Sequence, residues 1–488
     1  VENCAVDFPS GRAGATNIRL DQDYFIPGLS RLVEIVHHHG AKIAIQINHS
    51  GPSGVPAKTE GLGPVGASAV SYSPRLATPR VLEQKEIEDI IEKYAQAMLR
   101  AKKAGFDAAE LHGAHGYLMA HFMSSFTNRR KDEYGGDLEG RLRFPLKIIR
   151  RSRELVGAAY PIIMRMSGDE FLEGGRDLEG SQEVARIFAQ EGIDAIHVTA
   201  GTHPALHPSG TLTVDPVAYE QGWRVYLAEA IKGVVDISVI AVGVIREPAF
   251  AEAALARGKA DFVAIGRGLI ADPDWALKAR EGRETEIRRC ISCNEGCIRR
   301  RALMDVPMRC ALNPEVGRLP RLRARPIEGT PKRVLVVGGG AGGMEAARVL
   351  KLRGHEVTVW ERKGVLGGQL LLAGAPWFKK KLIWFLEYLT RQMRILSIPC
   401  ELNMEATPEK VLAFAPDEVI LATGAEPEIP PIPGIVGSHV KSLEEVLVGD
   451  YEGGGVPVVV MGGGIKGAEV ALFLAEKGER VTIVEMLP

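Results

Sequence analysis

Two glycine-rich runs constrain this chain more than any other feature. The first reads Val334-Leu-Val-Val-Gly338-Gly-Gly340-Ala-Gly-Gly343 and the second Val458-Val-Val-Met-Gly462-Gly-Gly464-Ile-Lys-Gly467. Each follows a short apolar run and opens an amphipathic stretch, which predicts strand, tight turn and helix. In such a unit the first glycine makes the turn, the second lets the backbone approach a pyrophosphate, and the third lets helix and strand pack. The helix N-terminus then faces the anion. A carboxylate stands eighteen residues past the third glycine in both copies, Glu361 in one and Glu485 in the other. That is the place from which an acid bonds a ribose hydroxyl. The echo predicts two Rossmann-type dinucleotide modules, one over 332–455 and one starting at 456.

Upstream the rhythm differs. Apolar runs at 2–6, 42–47, 108–111, 162–166, 195–198, 238–242 and 261–265 alternate with helical patterns such as 85–104 and 178–190. Repeated βα units with parallel strands mean an α/β fold, either an open doubly wound sheet or a closed barrel. Each run ends in a short polar or glycine-containing segment, where a (β/α)8 TIM barrel places its active-site loops. We therefore expect a barrel over 1–279. Seven strands are seen where closure needs eight, so the first is expected upstream of Val1. The chain starts without Met and stops at Pro488 inside the second dinucleotide module, which reads as a fragment lacking both ends.

Lys and Arg number 60 against 61 Asp and Glu, with 6% aromatics, an argument against nucleic-acid or anionic-membrane partners. No apolar run approaches the roughly 20 residues needed to span a bilayer, and a cytoplasmic protein is expected.

Between the barrel and the first module, over 280–331, lies a cysteine cluster followed by a Pro/Arg-rich linker. It reads Cys290-Ile-Ser-Cys293-Asn-Glu-Gly-Cys297, with Cys310 after twelve intervening residues. Four thiolates this close need a counter-charge, which a metal supplies. Structural zinc usually pairs two short hooks. Three cysteines on one hook with the fourth returning from a distance fit an iron–sulfur cubane wrapped by one loop. Spacing alone favours iron–sulfur over zinc, with buried thiols a third reading. Flavin modules next door strengthen the first, and the four cysteines are expected to converge on one site.

In the barrel, Ala109-Glu-Leu-His112-Gly-Ala-His115-Gly-Tyr117 sits at the end of a strand. Two imidazoles can hold a carbonyl oxygen and a phenol can deliver a proton. A hydrogen-bonded structural loop is the plainer reading. After the first glycine run, Gly367-Gly-Gln369 and Ala422-Thr-Gly424 read as turns by composition. They resemble FAD-contacting loops of two-dinucleotide flavoproteins, which makes FAD the expected ligand of the first module and NADH or NADPH that of the second. Glu485 would repel a 2′-phosphate, favouring NADH.

Downstream, Phe122-Met-Ser-Ser-Phe-Thr-Asn128-Arg-Arg130 and Asp132-Glu-Tyr134-Gly-Gly136 follow. With the cysteine spacing, they make the whole chain resemble the old yellow enzyme family, in the long branch of 2,4-dienoyl-CoA reductase, 2-enoate reductase and trimethylamine dehydrogenase. The resemblance implies an FMN barrel, a [4Fe–4S] loop and an FAD/NAD(P) half. It implies that Gln46, Arg165, Gly243, Gly266 and Arg267 contact FMN, and that Tyr117, His112 and His115 are catalytic. His203, on a segment shared with His207, is a further candidate. The implied activity is an NAD(P)H-dependent ene-reductase, with electrons passing from NAD(P)H to FAD, cluster and FMN, and then to an unsaturated carbonyl compound. An amine dehydrogenase and an electron-transfer flavoprotein without its own small substrate are the rivals.

Overall fold

A computed structural model describes residues 1–72, 76–202, 213–318, 326–327, 329–448, 451, 454–455 and 457–486. The chain divides into two compact units, and the division does not follow chain order. The first comprises Val1–Ile270 with Ser292–Ala311, the second Ala271–Ile291 with Leu312–Pro488.

The first unit is built on seven parallel strands, Cys4–Ala5, Ala44–Asn48, Ala108–Gly113, Ile162–Ser167, Ala195–Thr199, Ser238–Val242 and Phe262–Ala264, hydrogen-bonded in unbroken sequential order. A doubly wound sheet would reverse its strand order; sequential parallel order is that of a barrel wall. β-Branched residues favour some of these strands, such as Ser238–Val242, whereas Ala108–Gly113 has none and is held by its parallel neighbours on both sides. The helices between them carry their apolar residues at helical spacing. Gln84–Lys103 buries Ile87, Ile90, Ile91, Tyr94, Met98 and Ala101, and a capping box between Glu83 and Glu86 starts it. Leu138–Val156 and Leu178–Gln190 are each started by an aspartate, Asp137 and Asp177, whose side chain accepts a backbone N–H.

The second unit holds a four-stranded parallel sheet in the spatial order Cys400–Leu402, Glu356–Glu361, Arg333–Val337, Glu418–Leu421. The order reverses at Arg333–Val337, which makes the end of that strand a topological switch point, where such sheets bind ligands. A separate two-stranded parallel sheet pairs Pro457–Met461 with Arg480–Val484. Helices Ala341–Leu352 and Ile465–Glu476 follow the two glycine runs. Among the described residues no helix is long and apolar enough to cross a membrane.

Candidate active site

The strand Ala108–Gly113 brings His112 to the barrel mouth, and the turn after it brings His115 and Tyr117. His112 lies 5.1 Å from His115 and 4.8 Å from Tyr117 between ring centroids, both edge-to-face. His115 achieves this with a left-handed backbone, φ 59°, an unusual state for a non-glycine residue that marks a constrained turn. Its Nε2 hydrogen-bonds Thr199 Oγ1 at 3.0 Å.

Electrostatics define the state of these groups. Burial first, and the Arg165 charge second, push His112 down to about 3; the same two causes hold His115 well below its ordinary value. Both imidazoles are therefore neutral at pH 7. The backbone N–H of Ala114 donates to His112 Nδ1 at 3.3 Å, which places the His112 proton on Nε2 and makes that edge a donor. Burial raises the Tyr117 phenol, so it keeps its proton at neutral pH. A neutral imidazole donor beside a protonated phenol can polarise a carbonyl and protonate a carbon.

Below this ring cluster lies a polar layer in which Gln46 and Arg165 were expected and Glu110 and His197 were not. Gln46 pairs with Glu110 across one ladder, and Arg165 pairs with both His112 and His197 across two others. Gln46 Nε2 donates to Glu110 Oε2, and His197 Nδ1 meets Glu110 Oε1 at 2.7 Å. Burial alone would raise the Glu110 carboxyl, but His197, Arg165 and Gln46 outweigh it and hold it at about 2. Glu110 and His197 could have been found as polar residues at inward positions of otherwise apolar strands. A second buried set, also missed, joins Asp215 to Arg224, with Trp223 Nε1 donating to Asp215 at 2.8 Å.

Several buried polar atoms around this layer lack a hydrogen-bond partner among the described residues: both amide atoms of Asn48, Arg165 Nε and His197 Nε2. Buried polar groups are normally satisfied, so orphans gathered in one barrel fit a polar ligand such as a flavin. Gly243 backs onto the Arg224 side chain, and Gly266 faces open space. Arg267 Nη1 donates to Asp215 O and Asn294 Oδ1, each at 2.6 Å. His203 and His207 lie outside the described residues.

The Asn128–Gly136 segment, so specific as a sequence mark, does structural work. Asn128 Nδ2 donates to the carbonyls of Phe122 and Tyr134 at 2.8 and 2.7 Å. Arg130 Nη1 donates to the carbonyls of Ala67 and Leu82 at 3.0 and 2.8 Å. It ties loops together instead of presenting side chains to the mouth.

The cysteine segment is shared between the units. Cys290 belongs to the second, while Cys293, Cys297 and Cys310 belong to the first. There, Arg309 N donates to Gly296 O at 2.7 Å. A Cβ on Gly296 would sit 2.6 Å from Arg309 O and 2.9 Å from the Cys310 Cα. Only glycine permits that approach, which brings the Cys310 strand of chain beside buried Cys297. Among the described residues, no group of three or more metal-ligating side chains is gathered as a metal site.

In the second unit the two glycine runs adopt one geometry. Gly338 and Gly462 have φ 112° and 100°. A Cβ on Gly343 would overlap the Gly338 carbonyl oxygen, and one on Gly467 the Gly462 carbonyl oxygen. Gly340 and Gly464 face open space, each at the start of a helix with no side-chain cap. Those bare N–H groups fit a pyrophosphate. Glu361 Oε2 accepts from Gly339 N at 2.7 Å, and Glu485 Oε2 from Gly463 N at 2.6 Å. Around the first run the other two loops close in: Gly367 N donates to Gly339 O at 2.9 Å, and Gln369 Nε2 donates to Ala425 O at 3.0 Å.

Comparison with known proteins decides the family. The model of the NADH:flavin oxidoreductase / NADH oxidase family matches residues 1–286, and that of the pyridine nucleotide-disulphide oxidoreductases matches 332–488. The chain belongs to the NADH:flavin oxidoreductase / NADH oxidase family. This NADH:flavin oxidoreductase is 49% identical to an NADH oxidase of Thermoanaerobacter brockii over 100% of its own length and 75% of the relative's. It is 36% identical to a cinnamate reductase of Clostridium sporogenes, covering 95% of this chain and 70% of that protein. A solved complex of 2-naphthoyl-CoA reductase with 2-naphthoyl-CoA superposes with a TM-score of 0.92 at 32% identity, over 99% of this chain and 74% of that one. The expected (β/α) barrel followed by Rossmann-type domains is thus established, as is membership of the old yellow enzyme branch. The enzyme is an oxidoreductase with flavin- and NAD(P)-type domains.

Proposed function

We propose that the enzyme is an NAD(P)H-dependent ene-reductase that saturates an activated C=C of an enoyl-CoA, an enoate or an enone. The observation that carries the reading is the ring cluster: a neutral His112 offering Nε2–H beside a protonated Tyr117. The names of its relatives, a cinnamate reductase and a 2-naphthoyl-CoA reductase, support it. In this reading Gln46, Arg165, Gly243, Gly266 and Arg267 hold FMN. Gly338, Gly340, Gly343, Glu361 and Gln369 hold FAD, and Gly462, Gly464, Gly467 and Glu485 hold NAD(P)H. Cys290, Cys293, Cys297 and Cys310 hold a [4Fe–4S] cluster, for which the thiol donor set and the close approach at Gly296 are the support. When bound, these groups supply hydride acceptance from NAD(P)H, one-electron transfer and hydride donation to the β-carbon.

The protein's own part follows from its residues. His112 and His115 bind the substrate carbonyl and draw electron density toward it. Tyr117 gives its phenolic proton to the α-carbon. Positive charge at Arg165 favours an anionic reduced flavin. The overall balance is NAD(P)H plus H⁺ plus C=C giving NAD(P)⁺ plus CH–CH.

One observation favours a second reading, amine oxidation. Phe171, Trp223 and Tyr219 group their rings at barrel-mouth loops, with centroids 6.0 and 4.7 Å apart, and aromatic faces attract organic cations. Anaerobic NADH oxidation by the purified, cofactor-replete protein separates the two when screened with enoyl-CoA, free enoate, enone and tertiary amine. Acceleration by an unsaturated carbonyl is expected. Flavin bleaching by the amine, with no unsaturated acceptor accelerating NADH oxidation, sinks the ene-reductase.

A further inference from the structure

Glu110 has no part in the chemistry above, yet it is the hub of the layer beneath it. Its side chain is 13% exposed and that of His197 11%. One carboxylate oxygen accepts from Gln46 and the other from His197 at 2.7 Å. A carboxylate is acceptor-only when ionised, so it dictates its partners' orientation. Gln46 must turn its amide NH2 toward Glu110, leaving its carbonyl oxygen for whatever else it meets. His197 must place its Nδ1 proton on Glu110, leaving Nε2 as the outward atom, and that atom is buried without a partner among the described residues.

Charge adds to this. Glu110 is the carboxylate whose field acts on Arg165, and Arg165 is paired in the sheet with both His112 and His197. Were Glu110–His197 merely an ion pair closing the barrel interior, the layer would be satisfied within itself. Instead Arg165 Nε, His197 Nε2 and the Asn48 amide are left over.

We propose that Glu110 is a positioning residue for the flavin of the barrel: it orients the Gln46 amide and the His197 imidazole, and it offsets the Arg165 charge. The proposal rests on FMN occupying the barrel. Removing the negative charge leaves Arg165 less balanced, which favours the anionic reduced flavin and moves the midpoint potential positive. Removing the reach of the carboxylate while keeping its charge frees Gln46 to rotate, which weakens flavin binding without that shift.

The test compares Glu110→Gln and Glu110→Asp in the full-length protein, reading the FMN midpoint by spectroelectrochemistry and the FMN dissociation constant by fluorescence. Glu110→Gln is expected to shift the midpoint positive. Glu110→Asp is expected to bind FMN about tenfold more weakly, with a midpoint near wild type. A Glu110→Gln protein with wild-type midpoint and affinity overturns the proposal. If Glu110→Gln does not fold, Glu110→Asp decides, and wild-type FMN affinity there overturns it. Failure of the underlying reading shows separately, as a wild-type protein that takes up no FMN.

Discussion

The barrel mouth and the glycine loops of the second unit are shaped by opposite means. At the barrel mouth the shaping is done by side chains: His112, His115, Tyr117, Arg165 and Glu110, buried or half-buried and all five with displaced proton affinities. In the loops it is done by backbone. Gly338 and Gly462 turn, Gly343 and Gly467 let a helix touch a strand, and Gly340 and Gly464 leave space. The difference is that one site is defined by what is present and the other by what is missing. A side-chain site fails gradually and through its chemistry. A backbone site fails sterically.

The largest expected effect tests that contrast. Gly343→Ala puts a methyl group into the Gly338 carbonyl, at a cost of about 3 kcal/mol or more, since main chain cannot yield as a side chain does. FAD content should fall to a small fraction of wild type while the barrel keeps FMN, measured by flavin release and chromatography. Gly340→Ala meets nothing and should preserve the melting temperature while weakening FAD. Equal behaviour of the two variants breaks the comparison.

Next comes Tyr117→Phe. Losing the proton donor should lower kcat for alkene reduction by about 10²- to 10⁴-fold, with NADH-driven flavin reduction unchanged in stopped-flow traces. An unaltered turnover would remove Tyr117 from the chemistry.

Acid is the third lever. Burial holds His112 at about 3 and His121 at about 4 in the folded barrel, whereas an unfolded histidine titrates near 6.5. Below that value the unfolded chain binds more protons than the folded one, so stability falls as pH drops from about 6.5 toward 4. Calorimetry at pH 7 and pH 5 should show a melting temperature lower by several degrees at pH 5. Substituting Leu for His121 should shrink that difference.

The smallest effect belongs to Glu485, which is exposed and bonded to Gly463 N. Glu485→Ala should lower the ratio of the KM for NADPH to that for NADH by about fivefold, the scale of one solvent-screened charge. An unchanged KM ratio would place cofactor choice elsewhere.

How much could be read beforehand follows the same divide. The helix Leu178–Gln190 and the strand Ser238–Val242 lie where their periodicity put them, because local pattern and tertiary burial agree there. The glycine loops were legible for a stronger reason: a positive φ and a carbonyl in contact admit one residue type, so the requirement is written in the letter itself. Asn128 and Arg130 were visible as a signature but not as clamps: Asn128 bridges carbonyls six residues to either side through an irregular turn that no periodicity encodes, and Arg130 reaches carbonyls far away in the chain. Glu110 and His197 stand 87 positions apart and only strand register brings them together.

The sequence by itself determined the two dinucleotide units, the parallel α/β plan and the loop that carries His112, His115 and Tyr117, since each follows from local sterics and hydrophobic period. Only the tertiary structure decided that the histidines are neutral, which edge of His112 donates, and that a carboxylate sits beneath them. Those properties depend on burial and on groups brought close across strands, and neither is a local property of the chain.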